Sequence, residues 1–345
     1  MKKLILHVFF SFSLVLSNNL IAQEVEFNAH FQTFLKDYNS GDILNAEKSL
    51  ISILKSSDSL TKSRLIAVYN NLGVISLTLG KYDKALEYNF KAESLVSNKN
   101  QNSQSLADIY TNRGYIFIIK KTFDVAIDYL EKSIRIYQNL GTSDDNVLNS
   151  LSYAYINISI AYIETKNYLL AITYLEKNVL LNLKYNLSGL SLTYLNIAKT
   201  YVKTGNSKKA EEFYLRSITS FIKEYNENYF RLAEVYFDYS LFLRSSGRNE
   251  ESLKTLEKAL SICLKNYGEK HTLVSLSYKL IGDNYKNISD NSTALFYYQK
   301  ALIAVANNFN NPDILTNPSI DSSLFDIRLL DNLKSKAQVL ELFAG

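Results

Sequence analysis

Residues 66–97 read IAVYNNLGVISLTLGKYDKALEYNFKAESLVS, and this stretch decides the fold. Two short helical patterns flank a turn at residues 78–81. Small residues, Gly73, Ala85 and Ala92, fall where two antiparallel helices must come close, and larger apolar residues fill the space between them. An isolated pair of this kind cannot bury its apolar face, so the stretch predicts a helix hairpin with neighbours of the same type.

The rest of the chain repeats this pattern. The small residue of the first helix recurs at Gly73, Gly114, Ser159, Ala198, Ser240 and Gly282. The intervals are 41, 45, 39, 42 and 42 residues. A period near 42 with small residues in phase is typical of a solenoid of helical hairpins. We therefore predict an all-α fold, a right-handed superhelical solenoid of about seven hairpins within residues 23–306.

The repeated residues resemble the tetratricopeptide repeat. Its first-helix aromatic residue and Leu-Gly pair match Tyr69 and Leu72-Gly73, and its second-helix alanines match Ala85 and Ala92. The resemblance covers about residues 27–306, although tryptophan and the usual end-of-repeat proline are absent. It implies a scaffold that holds a protein or peptide ligand in a concave groove.

Residues 1–22 are predicted to be a secretory signal peptide that is cleaved after Ala22. A short basic start precedes an apolar run from Leu4 to Leu16 and a small, polar segment. An uncleaved membrane anchor is the alternative, although the run is short for a span of about 20 residues. We expect an exported protein, periplasmic or extracellular, without stable membrane insertion after cleavage.

The charge pattern argues against nucleic acid as a partner. The formal net charge is +4, and removal of residues 1–22 deletes two lysines and no acids, which leaves +2. The remaining basic and acidic residues are interleaved, without the basic patch that binds nucleic acid.

The residues that commonly carry chemistry are few. Cys263 is the only cysteine, and His30 and His271 are the only histidines after residue 22. They offer neither paired metal ligands nor a histidine placed to activate the thiol. The sequence therefore predicts no catalytic residues, no metal, no cofactor and no enzyme activity.

A polar ladder lies two residues before the small first-helix residue, at the position that precedes Leu72-Gly73 in the second hairpin, and it is formed by Asn71, Asn112, Asn157, Asn196 and Asp238. The family resemblance implies that this position faces the concave groove. An asparagine amide both donates and accepts hydrogen bonds, which suits the backbone of an extended peptide. The alternative is that the asparagine belongs to the repeat and serves local helix geometry.

The next groove-facing positions are apolar: Leu77, Tyr115, Ile118, Ile160, Ile163 and Val202, together with Val74 and Leu241. Apolar side chains on a solvent-facing surface form a patch that usually marks a partner site. The alternative is that these side chains are buried against one another.

The pattern changes after residue 306. Residues 307–326 hold both prolines and many Asn, Ser and Asp residues, which predicts a loop. Residues 327–345 resume helical spacing and read as the start of a further repeat, with Ala337 in the small first-helix position. Because this repeat stops before its second helix, we expect a longer polypeptide.

The loop and the helix pattern LLDNLKSKAQVLELF resemble the region before the CHAT domain, a caspase-like module, in bacterial proteins. This second resemblance implies a regulatory or recruiting array, with a downstream domain of the same chain as a further partner. The alternatives are a free-standing periplasmic scaffold and the sensor array of a membrane-bound signalling protein.

Overall fold

The structure is a computed structural model that describes residues 18–40, 42–55, 60–96, 103–141, 144–319 and 327–344. Residues 1–17 of the predicted signal peptide and residues 320–326 of the predicted loop lie outside the described residues. Residues 18–22 form the first turns of a helix that continues to Ser40.

The described residues form fifteen α-helices. In chain order they are α1 (Asn18–Ser40), α2 (Ile43–Lys55), α3 (Lys62–Thr78), α4 (Tyr82–Ser94), α5 (Gln104–Ile119), α6 (Phe123–Leu140), α7 (Asp145–Glu164), α8 (Tyr168–Tyr185), α9 (Leu190–Lys203), α10 (Ser207–Glu224), α11 (Leu232–Ser245), α12 (Asn249–Tyr267), α13 (Thr272–Asn287), α14 (Asn291–Val305) and α15 (Ile327–Ala344). The first fourteen pair consecutively into seven hairpins, and α15 follows them. The prediction of an all-α solenoid of about seven hairpins is confirmed.

The chain divides into two compact units, residues 1–196 and residues 197–345, here called unit 1 and unit 2. In unit 1 the second helix of a hairpin packs on its own first helix and on the first helix of the next hairpin. The first helices α3, α5 and α7 also contact one another in sequence, and so do α11, α13 and α15 in unit 2. The first helix α9 is linked to α11 by the bond between Lys199 and Asp238. Each unit therefore has a surface that only its first helices share, which we call the first-helix face.

Six hairpin turns reverse the chain through one residue with a positive φ. These residues are Gly80, Lys121, Lys166, Gly205, Gly247 and Ser289, with φ between 59° and 76°. In the first of these turns the Gly80 amide donates to the Leu77 carbonyl at 3.0 Å, and the Lys81 amide donates to the Ser76 carbonyl at 2.8 Å. This pair of bonds caps the C-terminal end of α3. A side chain makes a positive φ unfavourable, so the turns without glycine carry backbone strain.

The small first-helix residues sit where the two helices of a hairpin touch. A Cβ atom on Gly114 would lie 2.5 Å from Cγ of Leu130, and one on Gly282 would lie 2.8 Å from Cε1 of Tyr298. A Cβ atom on Gly73 would have 3.4 Å to its nearest neighbour, the Ala85 carbonyl oxygen. The requirement for glycine is therefore strict in the third and seventh hairpins and mild in the second.

Stacked rings fill the remaining space within a hairpin, and tyrosine, with 26 copies in this chain, supplies many of them. In the third hairpin the Tyr129 ring lies against Tyr110 and Phe117, at 5.7 and 5.8 Å between centroids. The Lys132 ammonium lies 5.3 Å from the Tyr129 centroid and covers its outer side. The alkyl stem of such a lysine shields the ring while its charge stays in water.

Two lysines hold the segment that follows α14. Lys336 is 1% exposed, and its ammonium donates to Gln299 Oε1, the Thr316 carbonyl and Asn317 Oδ1 at 2.7, 2.7 and 2.9 Å. The Lys270 ammonium donates to three carbonyl groups at the end of α14 and just beyond it. Each of these ammonium groups has an acceptor for all three of its donors.

Ala337 differs from the small residues with which it aligns, because it is exposed. The helix α15 packs against α14 and α13 through other residues, among them Leu329 and Val339. The small position is buried where the second helix of the same hairpin covers it. Among the described residues α15 has no such second helix.

Candidate binding face of the first helices

Two members of the predicted polar ladder bond within the protein. Asn71 on α3 is 5% exposed, and its amide donates to the Ala67 carbonyl one turn earlier at 2.8 Å. Asn112 on α5 donates to Asn70 Oδ1 at 2.7 Å, which links α3 to α5. These bonds serve helix geometry and the packing of neighbouring first helices. A role in ligand binding stays a prediction for both residues.

The other three members of the ladder differ in exposure. Asn157 on α7 is 9% exposed, and Asn196 on α9, the last residue of unit 1, is half-buried. Asp238 on α11 is half-buried and accepts a hydrogen bond from the Lys199 ammonium at 2.9 Å. Asn196 and Asp238 are thus the more accessible members.

The predicted apolar positions are partly buried in unit 1. Leu77 is 7% exposed and Ile118 is 9% exposed, whereas Tyr115, Ile160 and Ile163 are half-buried. Ile118, Ile160 and Ile163 pack in one apolar cluster with residues of α5 to α8. These side chains therefore cover one another and still present part of their surface to solvent.

The corresponding apolar positions in unit 2 are open. Val202 on α9 and Leu241 on α11 are each 39% exposed.

Sequence reasoning missed the charged residues on the first-helix face of unit 2. The Arg244 guanidinium lies 3.6 Å from Asp283 Oδ2, and the Lys279 ammonium lies 3.0 Å from the same oxygen. Lys286 on α13 donates to Gln338 Oε1 on α15 at 2.9 Å. The signal was present in the repeat alignment, because Lys199 and Asp283 directly follow Ala198 and Gly282. The same repeat position carries Ile160 in unit 1.

Ionisable groups in the interior of unit 1 are structural. Arg113 on α5 is 1% exposed, pairs with Glu93 at 2.8 Å and lies 4.2 Å from the Phe90 ring centroid. Asp108 on α5 is 3% exposed and accepts a hydrogen bond from the Tyr137 hydroxyl at 2.5 Å. Burial raises the pKa of Asp108 from 3.8 to about 8, so this carboxyl group holds its proton at neutral pH.

Neither the thiol nor any acidic cluster in the described part of the chain suggests reaction chemistry. Cys263 on α12 is fully buried, and burial raises the pKa of its thiol to about 11. Among the described residues, no group of three or more His, Cys, Asp and Glu side chains is arranged to hold a metal ion. In the part of the chain that the structure describes, no helix is both long enough and apolar enough to span a membrane.

Comparison with known sequences identifies the repeats. Residues 226–302 match one tetratricopeptide-repeat profile, and residues 66–89, 107–140 and 192–220 match a second. The chain therefore carries tetratricopeptide repeats, as the resemblance implied. Among curated proteins, no relative with significant sequence similarity is found.

Solved structures share the fold at low sequence identity. A STAND ATPase with a tetratricopeptide-repeat sensor from Pyrococcus horikoshii has a TM-score of 0.62 and 17% identity, over 82% of this chain and 42% of that chain. RapI in its apo form has a TM-score of 0.59 and 15% identity, over 81% of this chain and 97% of that chain. The apo quorum sensor NprR from B. thuringiensis has a TM-score of 0.54 and 14% identity, over 84% of this chain and 89% of that chain. This chain thus spans less than half of the STAND protein and most of the other two.

Proposed function

Because the chain carries tetratricopeptide repeats, we propose that it is a binding scaffold that holds an extended peptide or a segment of a partner protein. The tetratricopeptide fold is typically a non-catalytic scaffold suited to protein binding. The observation that carries the proposal is the first-helix face of each unit, where consecutive first helices lie side by side. Half-buried and exposed side chains on these faces, such as Ile160, Ile163 and Val202, offer apolar surface for a ligand.

We propose further that the array acts outside the cytoplasm as the recruiting region of a CHAT-type protein. Support comes from the signal-like sequence of residues 1–22 and from the CHAT-like sequence of residues 307–345. An immunoblot of fractionated native cells would test both points. A band much larger than 39.4 kDa in an exported fraction is expected. A band near that mass would favour a free-standing scaffold, and a cytoplasmic band would contradict export.

The alternative is a sensor array in a membrane-bound signalling protein. Two structural neighbours, described as a quorum sensor and as a STAND protein with a repeat sensor, are sensor proteins with this fold, which supports the sensor part of this alternative. An immunoblot band that stays with the membrane fraction after a salt wash would favour this alternative.

A library of random peptides displayed to the full-length chain would test the binding function. We expect binders whose affinity falls by about tenfold or more in Ile163→Glu, because a carboxylate on the face disrupts apolar contacts. The matched control is Leu169→Glu on α8, a position 79% exposed on a second helix, which should bind as well as the parent chain. A library without binders, or equal loss in both variants, would overturn the proposal.

A further inference from the structure

We propose that the first-helix face of unit 2 binds the acidic part of an extended peptide. This inference rests on the proposed function and assigns a ligand chemistry to one part of it. Six charged side chains on α9, α11 and α13 define the proposed site: Lys199, Asp238, Arg244, Lys279, Asp283 and Lys286. Four of these six are cations and two are acids, so the proposed site carries a surplus of two positive charges. A segment with several carboxylates is complementary to that surplus.

The cations of this face have hydrogen-bond donors to spare. An ammonium group has three donors, yet the ammonium groups of Lys199, Lys279 and Lys286 each have a single acceptor within reach among the described residues. Lys336 and Lys270, which are structural, each have three acceptors. The same side-chain chemistry is thus fully bonded within the protein at the end of the repeats and open to solvent at the proposed site.

The existing ion pairs can exchange with a ligand. The side chains of Lys199 and Asp238 are 44% and 30% exposed, and those of Arg244 and Asp283 are 25% and 20% exposed. Pairs with this access to water contribute little to stability, because water screens the attraction between their charges. A carboxylate from a ligand can therefore share Lys199 or Arg244 with its present partner, and take up donors that now face solvent.

The arrangement of the face also predicts the spacing of the acidic residues. Lys199, Arg244 and Lys286 lie on α9, α11 and α13, one on each consecutive first helix. Packed helices lie about 8–10 Å apart, and an extended chain rises about 3.3 Å per residue. Carboxylates at about every third residue of a ligand would thus meet successive cations. Val202 and Leu241, which are each 39% exposed, can contact the apolar side chains between them.

Synthetic peptides of about ten residues test this inference with the full-length chain. Three peptides share one sequence and carry Glu, Gln or Lys at every third position, and fluorescence anisotropy measures their binding at low and high salt. We expect the Glu peptide to bind about tenfold or more tightly than the Gln peptide at low salt, with the advantage shrinking as salt is added. The Lys peptide should bind most weakly.

Charge-neutralising variants locate the site. The triple variant Lys199→Gln, Arg244→Gln, Lys286→Gln should lower the affinity for the Glu peptide by about tenfold or more. The matched control removes the same total charge elsewhere in unit 2, through Lys208→Gln, Lys223→Gln and Lys265→Gln, three exposed positions on second helices. Circular dichroism confirms that each variant keeps its helix content, and the single variant Lys199→Gln replaces the triple if that variant unfolds.

The outcomes separate this inference from the proposed function. Equal binding of the Glu and Gln peptides, or equal weakening by the two triple variants, would overturn the acidic-ligand inference and leave a general peptide scaffold. Library binders that lack acidic residues would likewise overturn the acidic-ligand inference and leave a general peptide scaffold. A library without any binder would overturn the proposed function itself.

Discussion

Replacing Asp108 by asparagine should change how the stability of unit 1 depends on pH. The Asp108 carboxyl group lies between α5, α6 and α7, where the hydroxyl groups of Tyr137 and Ser150 bond to it. Burial raises its pKa from 3.8 to about 8. The unfolded chain therefore releases this proton at lower pH than the folded chain does. The stability of the folded state is full below about pH 4 and falls as the pH rises towards 8.

The magnitude follows from the gap between the two pKa values. At about pH 7 the pH lies about 3 units above the pKa of this carboxyl group in the unfolded chain, which corresponds to about 4 kcal/mol of lost stability. An asparagine at this position cannot ionise and removes that loss. Its amide brings a second N–H donor into a buried site, which costs about 1–2 kcal/mol. We expect Asp108→Asn to stabilise the chain by about 2 kcal/mol at pH 7 and to destabilise it by about 1 kcal/mol at pH 4.

Urea unfolding followed by circular dichroism at several pH values measures this effect, and hydrogen exchange of α5–α7 amides assigns it to unit 1. A useful comparison is Tyr137→Phe. The Tyr137 hydroxyl group lowers the pKa of Asp108, so its removal should raise that pKa further and extend the fall of stability to higher pH. If the difference in stability between Asp108→Asn and the parent chain stays constant from pH 4 to pH 8, the carboxyl group ionises normally and the reasoning is refuted.

Three further predictions concern the turns, the hairpin contacts and the lysine cage, by which we mean the three acceptors around the Lys336 ammonium. Lys121→Gly should stabilise the chain by about 0.5–1 kcal/mol in urea unfolding, and Gly205→Ala should destabilise it by a similar amount, because both turn positions have a positive φ. Gly114→Ala should lower stability by about 1–3 kcal/mol through its clash with the second helix, whereas Gly73→Ala should be neutral or stabilising by up to about 1 kcal/mol. Lys336→Met should leave the buried Gln299 Oε1 and two more accessible oxygens, of Thr316 and Asn317, without this donor, lower stability by about 1–3 kcal/mol and speed proteolysis of residues 306–319.

Each of these predictions has its own contrary result. A loss of stability in Lys121→Gly would show that the lysine at this positive φ does not strain the backbone of the turn. Equal effects of alanine at Gly114 and Gly73 would contradict the difference in helix contact. The control for the cage is Lys334→Met, an exposed position on the same helix, and proteolysis as fast as in Lys336→Met would remove the structural role of the cage.

The repeated pattern of the sequence was enough to predict the hairpins. Small residues recur in phase because two helices can approach closely only where side chains are small, and this requirement acts within about 40 neighbouring residues. Gly114 and Gly282 meet the expectation, since a Cβ atom at either position would lie within 3 Å of the facing helix. The predictions about export, about the downstream domain and about residues 1–17 stay predictions.

The sequence predicts a candidate site on the first helices, but it does not predict the burial and hydrogen bonding of the residues in that site. Asn71 and Asn112 match one repeat position, yet one bonds within its own helix and the other bonds to the neighbouring hairpin. Leu77 and Val202 likewise share a repeat position and differ in exposure, at 7% and 39%. Alignment of a repeat reports what position a residue holds, whereas burial depends on which side chains the adjacent repeats bring against it.

The sequence by itself determined the helix hairpins and their period, because these follow from local spacing of apolar and small residues. Only the tertiary structure decided which lysine ammonium groups have acceptors within the protein for all of their donors. Lys199 and Lys336 look alike in the sequence, but one has a single acceptor and the other has three. The physical reason is that hydrogen bonds and desolvation depend on groups brought together from distant parts of the chain. The identity of a single residue does not specify which groups these are.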